Sequence, residues 1–210
     1  MENVKMNPAV VVIAIAGPSG GGKTTLVQSV AALLDHATQV YFDDYEAVST
    51  YPTDMAAWLA TGANSIDWKT PQLSSDLQEL RMGKEVPHPN GTTMYSPTRF
   101  IVIEEPFGRD RQEMAPLIDF VVAIDVPLEI ALSRRLRRNL QMELEQWSAE
   151  KVLEHIDDYL KVYIELLGTL YRIVNTRALA NCDLAVDGRV SAEQLAEQIV
   201  EIVRKQYAAV

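Results

Sequence analysis

The sequence predicts an α/β fold: a mostly parallel sheet of five strands with helices on both faces, built around a phosphate-binding loop. Three observations lead there. Short, unbroken apolar runs recur along the chain, the first at residues 10–15. Stretches with apolar residues at helical spacing alternate with them. The first run stops at Gly17-Pro18-Ser19-Gly20-Gly21-Gly22-Lys23-Thr24-Thr25. A strand with no polar side needs cover on both faces, which a parallel sheet between two helix layers provides.

The glycine-rich stretch fits the pattern Gly, any four residues, Gly-Lys-Ser/Thr, with Gly17 and Gly22 as its fixed glycines. Backbone N–H groups can wrap closely around phosphate oxygens where no Cβ intervenes, and Gly20, Gly21 and Gly22 supply that freedom. The following helix points its positive end at the same phosphates, Lys23 adds a full charge, and the Thr24 hydroxyl can ligate Mg²⁺. Strand, loop and helix in this order form a P-loop in its expected setting. The expectation is therefore a three-layer P-loop NTPase sandwich that binds a nucleotide through Gly17, Ser19, Gly20, Gly21, Gly22, Lys23, Thr24 and Thr25. What happens to the nucleotide has to be read from the rest of the chain.

Residues 24–34 carry Leu26, Val27, Val30, Leu33 and Leu34 at helical spacing, a helix that packs back on the sheet. Residues 39–42 read as a second strand running into Asp43-Asp44-Tyr45, which puts two carboxylates at the edge where an open α/β sheet holds its ligands. Residues 51–99 read as a substrate-side insertion with too few apolar residues for a core of its own. It holds a short helix at 53–60, the segment Asp67-Trp68-Lys69-Thr70-Pro71, a helix at 72–82 with Leu73, Leu77 and Leu80 on one face, and a loop or hairpin turn at 86–91. Residues 100–103 form a third strand ending in Glu104-Glu105-Pro106, and 120–124 a fourth. A helix from about Leu128 carries Ser133-Arg134-Arg135-Leu136-Arg137-Arg138, a dense positive cluster. Residues 150–176 form a long helical stretch in which Val152, Leu153, Ile156, Leu160, Ile164 and Leu167 are spaced for a core face. Residues 182–186 give a fifth strand, and a last helix opens at Ser191 with Gln194 three residues on, a capping box.

With 210 residues the chain can bury one substantial core, and a single domain over residues 1–210 is expected. A net charge of −10 disfavours nucleic acid and anionic lipid as partners, so the dense arginine cluster stands out. Residues 1–8 lack the pattern of a secretory signal. The longest apolar run, residues 9–16, is far short of the roughly 20 residues a membrane span needs. Cys182 is the only cysteine, so no intramolecular disulfide can form, and it reads as core packing. The cytoplasm is the natural compartment, and a homo-oligomer stays open. His36, His88 and His155 have no zinc-ligand spacing.

With these positions placed, the sequence resembles the uridine kinase family of P-loop nucleoside kinases, including its nicotinamide riboside kinase relatives. The likeness rests on the P-loop, on Asp43-Asp44-Tyr45 beside the family's Asp-Asp-Phe or Asp-Ser-Phe-Tyr, and on Asp67-Trp68 with Pro71. It extends to Glu104 or Glu105 after the third strand, to the arginine cluster, and to Asn181-Cys182-Asp183-Leu184 before the last strand. The resemblance implies an ATP- and Mg²⁺-dependent kinase for a hydroxyl of a nucleoside-like small molecule. Asp43 matches the catalytic aspartate, with Asp44, Tyr45, Asp67 and Trp68 on the acceptor side and Glu104 or Glu105 joining Thr24 at the metal. Apolar continuity to Ile103 favours Glu104, and alignment of Glu-Pro-Phe with the family's Glu-Gly-Phe favours Glu105. The resemblance also implies a lid at about 133–147, whose Arg134, Arg135 and Arg138, with Lys23, would neutralise the charge of the migrating phosphoryl group. The alternative for the arginines is a solvated face paired with Glu143 and Glu145.

The chain departs from the family on the acceptor side. Lys69 and Thr70 stand where an aspartate and a histidine are common, and Asn139 replaces the aspartate that ends the lid pattern. Lys69 suggests an acceptor bearing negative charge. Pantothenate, a sugar or a nucleoside monophosphate are other acceptors for this fold, and a nucleotide-dependent regulatory ATPase is the rival from a different class.

Overall fold

The structure, a computed structural model, describes residues 10–208, so the expectation for residues 1–8 lies outside it. Along the chain run β1 (Val11–Ala16), α1 (Lys23–Leu33), β2 (Thr38–Val40), α2 (Met55–Ala60), α3 (Pro71–Arg81), β3 (Val86–Pro87), β4 (Met94–Tyr95), β5 (Phe100–Glu104) and β6 (Phe120–Asp125). There follow α4 (Leu128–Glu143), α5 (Ala149–Val162), α6 (Gly168–Ala180), β7 (Leu184–Asp187) and α7 (Ala192–Gln206).

Five strands form one sheet in the order β2-β5-β1-β6-β7, and every pair in it is parallel. The α/β sandwich expected from the apolar runs is the fold observed. All six residues of β1 are buried, and their alternation distributes them to two cores. Val11, Ile13 and Ile15 pack with Leu26 and Val30 of α1 and Leu195 and Ile199 of α7. Val12, Ala14 and Ala16 pack with Leu73, Leu77 and Leu80 of α3 and Ala178 of α6. The apolar face of residues 51–99 thus completes the second core. Ser191 caps α7 by accepting the N–H of Gln194 at 3.3 Å.

The loop or hairpin turn expected at 86–91 is a hairpin, with β3 and β4 paired antiparallel. Two local expectations are corrected. The second strand stops at Val40, and residues Phe42–Val48 form a 3₁₀ helix, so Asp43 lies on a helical turn. The long stretch at 150–176 is interrupted by a π turn at Tyr163–Leu167. A π turn adds a residue to one helical turn, so an apolar face that precedes it does not continue in phase. Leu153 and Ile164, expected in the core, are 66% and 79% exposed, while Val152, Leu170 and Val174 are buried.

Because the sheet is parallel, the C-terminal ends of β1, β5 and β2 share one edge. The register sets Ile15 beside Glu104 and Val40 beside Ile103. The P-loop, the Glu104-Glu105 pair and the helix of Asp43 therefore meet at this edge.

Candidate active site

Gly17, Gly20 and Gly22 take φ of 148°, 80° and 99° in the loop between β1 and α1. A Cβ at Gly20 would overlap the backbone carbonyl of Ala131 in α4, so the close approach of that helix depends on glycine. Helix α1 has no side-chain cap and no acidic residue in its first turn, which leaves its positive end uncompensated beside the loop. Gly21 lies off the cavity, and its N–H donates to Pro18 O at 3.0 Å. The buried Lys23 ammonium sits 3.2 Å from Pro18 O and 3.3 Å from Glu104 Oε1. The Thr24 hydroxyl donates to Glu104 Oε2 at 2.8 Å.

The two neighbouring carboxylates part company. Glu104, the last residue of β5, faces Thr24 and Lys23. The metal assignment to Glu105 is corrected: its carboxylate is fully buried against the Arg111 guanidinium and accepts the N–H of Phe107 at 3.2 Å. Consecutive residues at a strand end point to opposite sides, so one sheet edge cannot present both to the same ion.

A cavity of about 730 Å³ opens at this edge. It is lined by the P-loop with Lys23, Thr24 and Glu104, and also by Asp43, Glu46 and the rings of Phe42, Tyr51, Trp68, Phe107 and Tyr171. Asp43 and Glu46 are three residues apart in a 3₁₀ helix, where such positions eclipse. The same turn directs the other expected acceptor residues elsewhere. Asp44 pairs with His88 Nε2 at 3.1 Å and accepts the Tyr95 hydroxyl at 3.2 Å. The His88 Nδ1 accepts from Asn90 N, so the proton facing Asp44 is on Nε2. Tyr45 is buried and donates to Asp76 at 2.9 Å, and burial together with that carboxylate raises its phenol pKa. Asp67 is exposed in a single 3₁₀ turn and lies off the cavity. Lys69 is not among the residues lining it but lines a smaller depression with Arg111 and Glu113.

Arg134, Arg135 and Arg138 of α4 all border the cavity. Arg134 donates to Gly188 O at 2.9 Å. Arg135 donates to the Ser19 hydroxyl and lies 5.1 Å over the Tyr159 ring. Burial pushes the Tyr159 phenol up to about 12 against the opposing charge of Arg135, so it remains neutral beneath the guanidinium. Glu143 hydrogen-bonds His155 at 2.9 Å rather than pairing with the arginines.

The sequence profile of the Phosphoribulokinase / Uridine kinase family matches residues 12–165. The chain belongs to this family. A uridine kinase of Haemophilus influenzae (strain PittGG) is 25% identical over 151 residues, covering 64% of this chain and 71% of that protein. The Arabidopsis thaliana protein named inorganic pyrophosphatase TTM2 is 24% identical over 163 residues, 72% of this chain but 23% of that longer protein. Among solved structures, a Silicibacter sp. TM1040 protein described provisionally as a fructose transport system kinase superposes with a TM-score of 0.54. It is 14% identical and covers 89% of this chain and 93% of that one, a likeness of fold.

Membership of the phosphoribulokinase/uridine kinase family makes the chain a kinase by descent, and the cavity holds side chains suited to that chemistry. Trp68, expected on the acceptor side, does line the cavity, but sequence reasoning missed Glu46 and the other rings. Glu46 had a signal, its i+3 spacing from Asp43, hidden by reading that stretch as strand and loop. Tyr171 and Phe107 had none, since the same pattern describes any apolar face.

Proposed function

We propose that the protein is an ATP- and Mg²⁺-dependent kinase that transfers the γ-phosphoryl group to a hydroxyl of a nucleoside-like small metabolite. One observation carries this reading: a single cavity is lined by the P-loop, by four cationic side chains, and by the carboxylates of Asp43 and Glu46 with a set of aromatic rings. A bare nucleotide switch has no use for those carboxylates and rings.

Asp43 accepts or orients the proton of the acceptor hydroxyl as that oxygen bonds to the γ-phosphorus and the bond to the ADP oxygen breaks. Lys23, Arg134, Arg135 and Arg138 stabilise the charge spread over the transferring group and keep water from competing. Thr24 and Glu104 offer hard oxygens side by side, the donor set that suits Mg²⁺ bound together with substrate phosphates. They would hold that ion, which when bound neutralises phosphate charge. The lid at about 133–147 is the end of α4 and the turn after it, and residues 51–99 supply the acceptor side within one domain.

The acceptor end favours a neutral acceptor with a flat apolar body. Asp43 and Glu46 supply carboxylates on this side in our reading, whereas Lys23 belongs to the P-loop and Arg135 reaches its Ser19. Pantothenate and nucleoside monophosphates would bring a negative charge against these carboxylates, and a bare sugar would leave the rings unfilled. The test is ADP release from ATP with uridine, cytidine, nicotinamide riboside, fructose, pantothenate and UMP. Turnover is expected with a nucleoside and should fall by roughly 10²- to 10⁴-fold in Asp43→Asn. Slow hydrolysis indifferent to every acceptor and to the substitution would instead identify a regulatory ATPase.

A further inference from the structure

The mechanism leaves the buried cation of Arg111 unused. Arg111 is fully buried, lies off the main cavity, and follows β5 in a loop that the P-loop chemistry does not reach. Its Nε donates to Glu105 Oε1 at 3.2 Å and its Nη2 to Glu105 Oε2. Its Nη1 faces Thr70 Oγ1 at 2.7 Å, Glu113 Oε1 at 3.1 Å and the carbonyl of Trp68 at 3.4 Å. The guanidinium also lies 5.2 Å from the Phe42 ring centroid and 5.6 Å from that of Phe107.

Three of these partners line the cavity. Phe42, Trp68 and Phe107 supply three of its rings. Phe42 immediately precedes Asp43, and Glu105 immediately follows Glu104. Trp68 in turn packs against Trp58, Tyr51 and Phe107, with centroids 5.9, 5.3 and 5.5 Å away. Glu113 clamps the same segment from its other side, accepting the N–H of Thr70 at 2.7 Å. A buried charge cluster of this kind is an inefficient way to gain stability, because desolvation offsets most of the attraction. It does fix geometry, since a planar fork satisfied in several directions admits one orientation.

We propose that Arg111, held by Glu105 and Glu113, is a positioning residue for the acceptor: it sets the Phe42–Trp68–Phe107 wall and, through Phe42, the placement of Asp43. The proposal rests on the kinase reading for its kinetic consequence and on the structure alone for its effect on the rings. Arg111→Lys keeps the charge and removes the fork.

Two measurements on the full-length protein test it. With the acceptor that turns over in the nucleoside panel, Arg111→Lys should raise the acceptor KM and lower kcat/KM by about tenfold or more, as small misplacements at a reacting pair do. Affinity for a fluorescent ATP analogue should stay within about twofold, because the P-loop is a separate site. In protein labelled with 5-fluorotryptophan, the ¹⁹F resonance of Trp68 should shift or broaden while that of Trp147 holds.

If Arg111→Lys does not fold, Glu113→Gln carries the same readouts, since Glu113 is partly exposed and keeps its shape as glutamine. An unmoved Trp68 resonance overturns the proposal even where no acceptor is found, which separates its failure from that of the kinase reading. So does an unchanged acceptor KM in a variant whose melting temperature and nucleotide affinity fall together, the mark of a merely structural ion pair.

Discussion

Gly20 carries a constraint that its place in a motif does not convey. Its φ is 80°, and a methyl group there would meet the Ala131 carbonyl, a backbone atom within α4 that cannot swing aside. Gly20→Ala is therefore expected to cost more than about 2 kcal/mol in urea unfolding and to lower nucleotide affinity, because both the φ angle and the helix approach must change. Gly22→Ala meets nothing within 4 Å and bears only the strain of its φ of 99°, so it should lose less stability. Equal losses in the two variants would show that α4 does not press on the loop. This constraint was invisible in the sequence, where both glycines satisfy one spacing rule. Glu104 and Glu105 show the same limit: two adjacent carboxylates after an apolar run left the metal side ambiguous. Only the Arg111 partner, six residues away across a turn, separates them.

At the scale of elements, the α5 region shows where periodicity misleads. Its apolar residues recur as a core helix's would, yet Val152 is buried at 1% exposure and Leu153, its neighbour, is 66% exposed. Spacing fixes which residues share a face and says nothing about whether that face meets the sheet. Helix α5 contacts α4 and the π turn, while the sheet is covered by α1, α3, α6 and α7. Substitution distinguishes the two positions. Val152→Ala should cost about 1–2 kcal/mol for lost burial, and Leu153→Ala should stay within about 0.5 kcal/mol, both read by urea denaturation. A large loss at Leu153 would mean that this face is covered in solution. By contrast α7, with Ser191 capping its first turn and Leu195, Ile199 and Val203 on one face, was legible because cap and face agree with its place on the sheet.

For the molecule as a whole, the class of fold followed from alternating apolar runs and helical stretches, but the strand order did not. Nothing in the composition of β5 says that it lies between β2 and β1, and that placement is what brings Glu104 beside Thr24. The charge balance has a consequence at this scale too. A chain of net charge −10 can hold a polyanion only where its cations are gathered, and Lys23, Arg134, Arg135 and Arg138 gather at one cavity lined by the P-loop, α1 and α4 among other segments. Nucleotide bound there ties the loop to the α4 helix and stabilises the folded state by mass action. At a hundredfold excess over Kd this amounts to about 2.7 kcal/mol, or roughly 5–10 °C in melting temperature for a chain of this size. Differential scanning fluorimetry should show that rise with ATP and Mg²⁺, a smaller one with ATP and EDTA, and almost none in Lys23→Ala. An equal rise with and without EDTA would remove Thr24 and Glu104 from any metal role, and an equal rise in Lys23→Ala would place the nucleotide outside the P-loop.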